Sequence, residues 1–128
     1  MSTIPQAVQS DLETAAPQTR DLPKDCMLLR IFLGEGDEHR HRPLFKAIVT
    51  RARELGLAGA TVLRGRMGFG QSKRLHNASI LRLSFDLPMI LEIVDTSEKI
   101  EAFLPELRQM MPTGLITAER ARIVRYQA

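Results

Sequence analysis

The chain has 128 residues, 44% apolar and 26% charged, with a formal net charge of +3, which is one domain's worth of ordinary globular composition and enough to bury a core without disulfides or a structural metal. The absence of Trp and the single Tyr argue against a carbohydrate-binding aromatic platform, the lone Cys26 excludes an internal disulfide, and no stretch approaches the roughly 20 apolar residues of a membrane span. Residues 1–5 lack the basic and apolar regions of a secretory signal, so the expected setting is a reducing cytoplasm, with Cys26 a small buried hydrophobe.

Residues 1–25 mix Ser, Thr, Gln, Pro and Ala with few large apolar side chains, and are predicted to be a flexible arm that buries little. The domain is predicted to cover 26–128. Residues 26–34 form a nearly continuous apolar run closed by Gly34, which fits a strand buried on both faces. A charged turn follows, and then Pro43 at the first position of a helix whose apolar stripe is Leu44, Ile48, Ala52 and Leu55, closed by Gly56. A second strand is predicted over 60–70, broken up by Gly65, Gly68 and Gly70. A polar, basic loop follows over 71–79, with residues 80–83 extending a strand arm back from it.

Residues 88–94 are again apolar on both faces except for Glu92. Asp95 and Glu98 have capping-box spacing, which places Asp95 at the N-cap of a second helix. That helix carries Ile100, Phe103, Leu104, Leu107, Met110 and Met111, is kinked by Pro105, and ends at Gly114. A last strand over 115–124 is predicted to start irregularly around 117–119. The order strand, helix, strand, strand, helix, strand is that of a ferredoxin-like α+β fold, βαββαβ, with an antiparallel four-stranded sheet and two helices on one face. Two helices cover only one face, yet two strands read as apolar on both, so the open face is expected to meet another copy of the chain.

Several segments agree in order with a known family. Gly56-Leu-Ala-Gly59-Ala-Thr61-Val62, followed by Gly68-Phe69-Gly70-Gln71, is similar to the PII signalling proteins, in which such a segment leads into a mobile T-loop. The run from Leu29 to Glu35, the Pro43-Leu-Phe-Lys-Ala-Ile-Val49 segment, the Ser79-Ile-Leu-Arg-Leu-Ser84 segment and Glu92-Ile-Val-Asp95 resemble the PII-like family of domain of unknown function 190. The resemblance covers residues 27–126. It implies a homotrimer with ligand clefts between subunits, no required cofactor, a possible adenine nucleotide as ligand, and a T-loop-like segment near 70–82 that signals to a partner such as a membrane transporter. Position by position it places Thr61 against adenine, Gly68, Phe69, Gly70 and Gln71 at the loop base near the phosphates, and Lys73 and Arg74 in the loop. The chain departs from PII after the second helix, where Leu115-Ile116-Thr117 replaces a Gly-rich phosphate turn.

Between Glu54 and Asp86 there is no acidic residue, but there are Arg64, Arg66, Lys73, Arg74 and Arg82. Arg64 and Arg66, alternating along a strand, are predicted to share a face and form an anion site; the competing reading is a solvated basic loop. The glycines at 65, 68 and 70 follow a strand without opening a helix, so they are not a dinucleotide fingerprint. They read as places where a ligand or another chain approaches the backbone, or as a bulged strand end. His39, His41 and His76 lack the spacing of a zinc site. No nucleophile–base pair or shared carboxylate pair is apparent, so an enzyme is not expected, and the sheet lacks the aromatic positions of an RNA-binding face. A ligand-free interaction module and a CutA-like metal-binding trimer are the alternatives to a ligand-sensing regulator.

Overall fold

The computed structural model describes residues 20–69, 76–77 and 87–127. Strand β1 (Asp25–Gly34) alternates strictly in its second half, with Leu29, Ile31 and Leu33 buried and Arg30 and Phe32 half-buried. A two-residue strand β2 (Glu38–His39) pairs with β3 (Arg42–Pro43), and Arg40 and His41 both take positive φ at the tip, the geometry of a type I′ hairpin turn. This small hairpin replaces the charged turn expected there. Helix α1 (Leu44–Glu54) buries Leu44, Ile48 and Ala52, with Pro43 as N-cap, one residue before the expected place. The helix ends in a Schellman motif: Leu57 N donates to Ala52 O, Gly56 N donates to Arg53 O, and Gly56 sits at φ 75°, where only glycine is unstrained.

Strand β4 (Ala60–Arg64) stops five residues in. The chain bends and resumes as β5 (Met67–Gly68), which pairs with β6 (His76–Asn77). The remainder of the loop, including Gly70, Gln71, Lys73, Arg74, Arg82 and the expected arm at 80–83, lies outside the described residues. Strand β7 (Pro88–Asp95) buries Met89, Leu91, Ile93 and Asp95. Helix α2 (Ser97–Met110) buries Ile100, Phe103 and Leu107 and continues through Pro105. Strand β8 (Leu115–Arg122) is regular from its first residue, correcting the irregular start expected at 117–119.

The main sheet is antiparallel in the order β4-β7-β1-β8. This is the ferredoxin-like arrangement, with the two central strands contributed by the two halves of the chain. The core lies between the sheet and the helices, around Leu29, Ile31, Leu91, Ile93, Ile48 and Phe103. Residues directly opposite in an antiparallel ladder share a face, so Leu28, Arg30, Phe32, Ile90, Glu92, Val94, Thr61, Leu63, Leu115 and Glu119 lie on the face away from the helices. Arg30 sits at the centre of that face, donating from Nε to Glu92 at 2.8 Å and from Nη1 to Glu119 at 2.6 Å. The hydrogen bond to Glu92 is the main cause that raises the Arg30 pKa.

Candidate functional site

The turn after α1 carries the Gly-Leu-Ala-Gly-Ala-Thr segment, and a buried carboxylate fixes its shape. Asp95 is 0% exposed at the end of β7. Its Oδ2 accepts from Ala58 N at 2.8 Å and from the Arg20 guanidinium, and its Oδ1 accepts from Thr96 N at 2.7 Å. Burial pushes this carboxyl up. The Arg20 hydrogen bond, then those from Thr96 N and Ala58 N, then the Arg20 charge outweigh that and hold it below the usual range. Asp95 is therefore not the N-cap of α2. Thr96 is the cap, accepting from Lys99 N at 3.2 Å, one residue later than the capping-box spacing suggests. Residues 20–24, within the expected arm, touch the domain through Arg20 and through Lys24 O, which accepts from Ile123 N at 2.8 Å.

Held this way, Gly59, Ala60 and Thr61 form one wall of a cavity of about 460 Å³ on the open side of the sheet. Ala58 of the same turn, Leu22 ahead of β1, Leu28 of β1, Glu92 and Val94 of β7, and Ile123, Arg125 and Tyr126 from the tail after β8 also line it. Thr61 and Glu92 are directly paired across the ladder. Tyr126 Oη donates to Ala58 O at 3.4 Å, a long bond that ties the tail to the same turn. A hydroxyl, a carboxylate, a guanidinium and a phenol ring thus converge on one cavity, a set able to accept from an exocyclic amine, stack on a planar ring and pair with an anion.

The remaining expected residues are placed differently. Arg64 is opposite Met89, on the helix side of β4, so it projects from the face opposite to Thr61. It forms an ion pair with Glu35, which is itself anchored by a hydrogen bond from Glu35 N to Leu87 O. Arg66 lies exposed in the bend between β4 and β5, outside any strand, so the alternation that was expected to align it with Arg64 does not apply. The space that Gly65 and Gly68 leave open is filled by Pro88 of the same chain: a Cβ on Gly65 would lie 2.8 Å from Pro88 Cγ, and one on Gly68 3.2 Å from it. Phe69 is 63% exposed just beyond β5. The buried Cys26 thiol is pushed up, first by burial and then by the Asp95 charge, which opposes thiolate chemistry.

Sequence reasoning missed Tyr126 and Glu92 and left Arg125 only loosely placed. The available signals were the chain's single Tyr beyond the last strand and one carboxylate interrupting an otherwise apolar strand. Among the described residues, no three His, Cys, Asp or Glu side chains converge as a metal site, and no helix is long and apolar enough to cross a membrane.

Comparison with known proteins places the chain in a family and bears on its fold. A UPF0166 protein of Aquifex aeolicus is 39% identical over 97 residues, covering 76% of this chain and 91% of that protein. A UPF0166 protein of Methanocaldococcus jannaschii is 38% identical over 90 residues, covering 70% and 82%. Among solved structures, CPII, a nitrogen regulatory PII-like protein from Thiomonas intermedia K12 bound to ADP, AMP and bicarbonate, superposes with a TM-score of 0.55 at 14% identity, covering 79% of this chain and 90% of that one. A putative PII-like signalling protein from Thermus thermophilus does so with a TM-score of 0.51 at 18% identity, covering 77% and 87%. At such identities the likeness is one of fold. The profile of the DUF190 family, described as uncharacterized ACR, matches residues 26–123, and the chain belongs to that family, with the PII-like form of the ferredoxin-like fold.

Proposed function

We propose that this chain is a PII-like signalling protein that assembles as a homotrimer, senses an adenine nucleotide or another anion in the clefts between subunits, and acts in the cytoplasm on a partner such as a membrane transporter. The observation that carries this reading is the convergence of Thr61, Glu92, Arg125 and Tyr126 on one cavity on the open side of the sheet. Glu92 suits the exocyclic amine of adenine, Tyr126 suits its ring, and Arg125 suits a phosphate. That CPII was solved with ADP, AMP and bicarbonate supports the choice of ligand class. The exposed apolar side chains Leu63 and Leu115, flanking Phe32 and Ile90 on the same face, support burial against further copies.

In this reading the β5–β6 pairing is the base of the signalling loop, with Gly68, Phe69, Gly70, Gln71, Lys73, Arg74 and Arg66 beside the ligand's charged end, while Arg64 braces the base through Glu35. The ligand moves the loop only through its differential affinity for two loop states. Isothermal titration of the full chain with AMP, ADP and ATP tests the ligand. At least one is expected to bind saturably, and Thr61→Val, which keeps the shape and removes the hydroxyl, to weaken it about 3- to 10-fold. Absence of heat and of thermal stabilisation with all three would instead favour a ligand-free interaction module, for which the exposed Phe69 and Met67 at the loop base are suited.

A further inference from the structure

The turn that forms the wall of the Thr61 cavity has a second cavity behind it. This one measures about 290 Å³ and is floored by apolar side chains, Val49 and Ala52 of α1 and Leu57 of the turn after it. Among the described residues its charged lining is Arg20 and Arg53, with no carboxylate. Arg20 is engaged through Nη2 alone, to Asp95 and, at 3.4 Å, to Gly56 O. Its Nε and Nη1 make no hydrogen bond among the described residues. Arg53, exposed at the last turn of α1, takes part in no ion pair among them. Two guanidinium groups with spare donors therefore border an apolar recess of the size that takes a small molecule, roughly 300 Å³ at the lower end.

We propose that this cavity is a second ligand site, for a small amphiphilic carboxylate: the charged head pairs with Arg20 and Arg53, and a short apolar body lies on Val49, Ala52 and Leu57. The planar guanidinium fork matches a carboxylate in geometry and charge, and the apolar floor selects against a bare inorganic anion, which gains nothing from it. The two cavities share Ala58, Gly59 and Ala60, but Arg53 lines this one and not the other, and Thr61 the other and not this one, so the two readings are tested separately. Tyr126 lines both. As the chain's single Tyr in the absence of Trp, it makes ultraviolet emission a report on one residue.

The test is titration of the full chain with hexanoate, read by Tyr126 fluorescence, with acetate and hexylammonium as the probes lacking the body and the negative charge. A saturable change with hexanoate alone is expected, about tenfold weaker in Arg53→Gln and unaltered in Thr61→Val. Absence of a saturable change with hexanoate overturns the proposal. So does an equal change with acetate, which would mark an adventitious ion only, an equal affinity in Arg53→Gln, or an equal loss in Thr61→Val, which would move the binding to the other cavity.

Discussion

Asp95→Ala is expected to destabilise the fold by about 3 kcal/mol, because it leaves the part-buried Ala58 and Thr96 N–H groups and the Arg20 guanidinium without their acceptor and frees the turn they hold. Arg20→Ala is expected to cost less, about 1–2 kcal/mol, since this guanidinium is one-third exposed and water replaces part of what it gives Asp95. Denaturant titration at fixed protein concentration measures both. The pH dependence has a definite sign. Asp95 is held below its ordinary range in the folded state, so its contribution is fully present above the unfolded value of about 3.9 and is lost as pH falls through the folded value. Asp95→Asn is expected to flatten that acid limb. An acid limb identical to the parent's, or an Asp95→Ala cost within 0.5 kcal/mol of zero, about the scatter of neutral surface changes, would refute this role. Deleting residues 1–24 removes Arg20 and the Lys24 carbonyl together, so that truncation is expected to cost at least as much as Arg20→Ala.

Gly65→Ala is expected to cost about 1–3 kcal/mol by overpacking. Its Cβ would lie 2.8 Å from Pro88 Cγ and 3.2 Å from Pro88 O, and Pro88 O already accepts from Gly65 N at 2.7 Å, so the backbones have no room to part without losing that bond. Neither contact is to the free end of a flexible side chain. The ring contact is relieved by Pro88→Ala and the carbonyl contact is not, so the double variant is expected to recover part of the loss, a coupling that a double-mutant cycle measures. The effect bears on the proposed function because Gly65 joins β4 to the base of the β5–β6 loop. Gly65→Ala matching the parent in denaturant midpoint would show that the close approach to Pro88 carries no energy.

The strands and helices were legible because their apolar patterns are one-dimensional: the run ending at Gly34, the stripe through Leu44, Ile48 and Ala52, and the stripe through Ile100, Phe103 and Leu107 each match one period of one element. What spacing does not reveal is which of two adjacent polar residues turns inward. Asp95 and Thr96 both suit an N-cap. The inward direction of Asp95 follows from β7 alternation, with Met89, Leu91 and Ile93 buried, which places residue 95 in the core. The pairing of Arg64 with Arg66 failed for a related reason, because the alternation rule holds only while the strand continues and β4 ends at Arg64. The glycines at 65 and 68 did mark a close backbone approach, but the approaching group is Pro88, 20 or more residues further along the chain, a separation no local pattern carries. Thr61 is a candidate through the family resemblance alone. Glu92, Arg125 and Tyr126 join it only once the β4–β7 register and the path of the tail are known.

Native mass spectrometry of the full chain, with and without ADP or AMP, tests the central claim most directly, because it reads subunit number and bound nucleotides in one spectrum. The expected result is a trimer that takes up to three nucleotides, in keeping with clefts formed between subunits, with occupancy reduced by Thr61→Val. A monomer that nonetheless binds nucleotide would place the site within one chain, and a trimer that takes up none would remove the sensing role; either result would contradict the account.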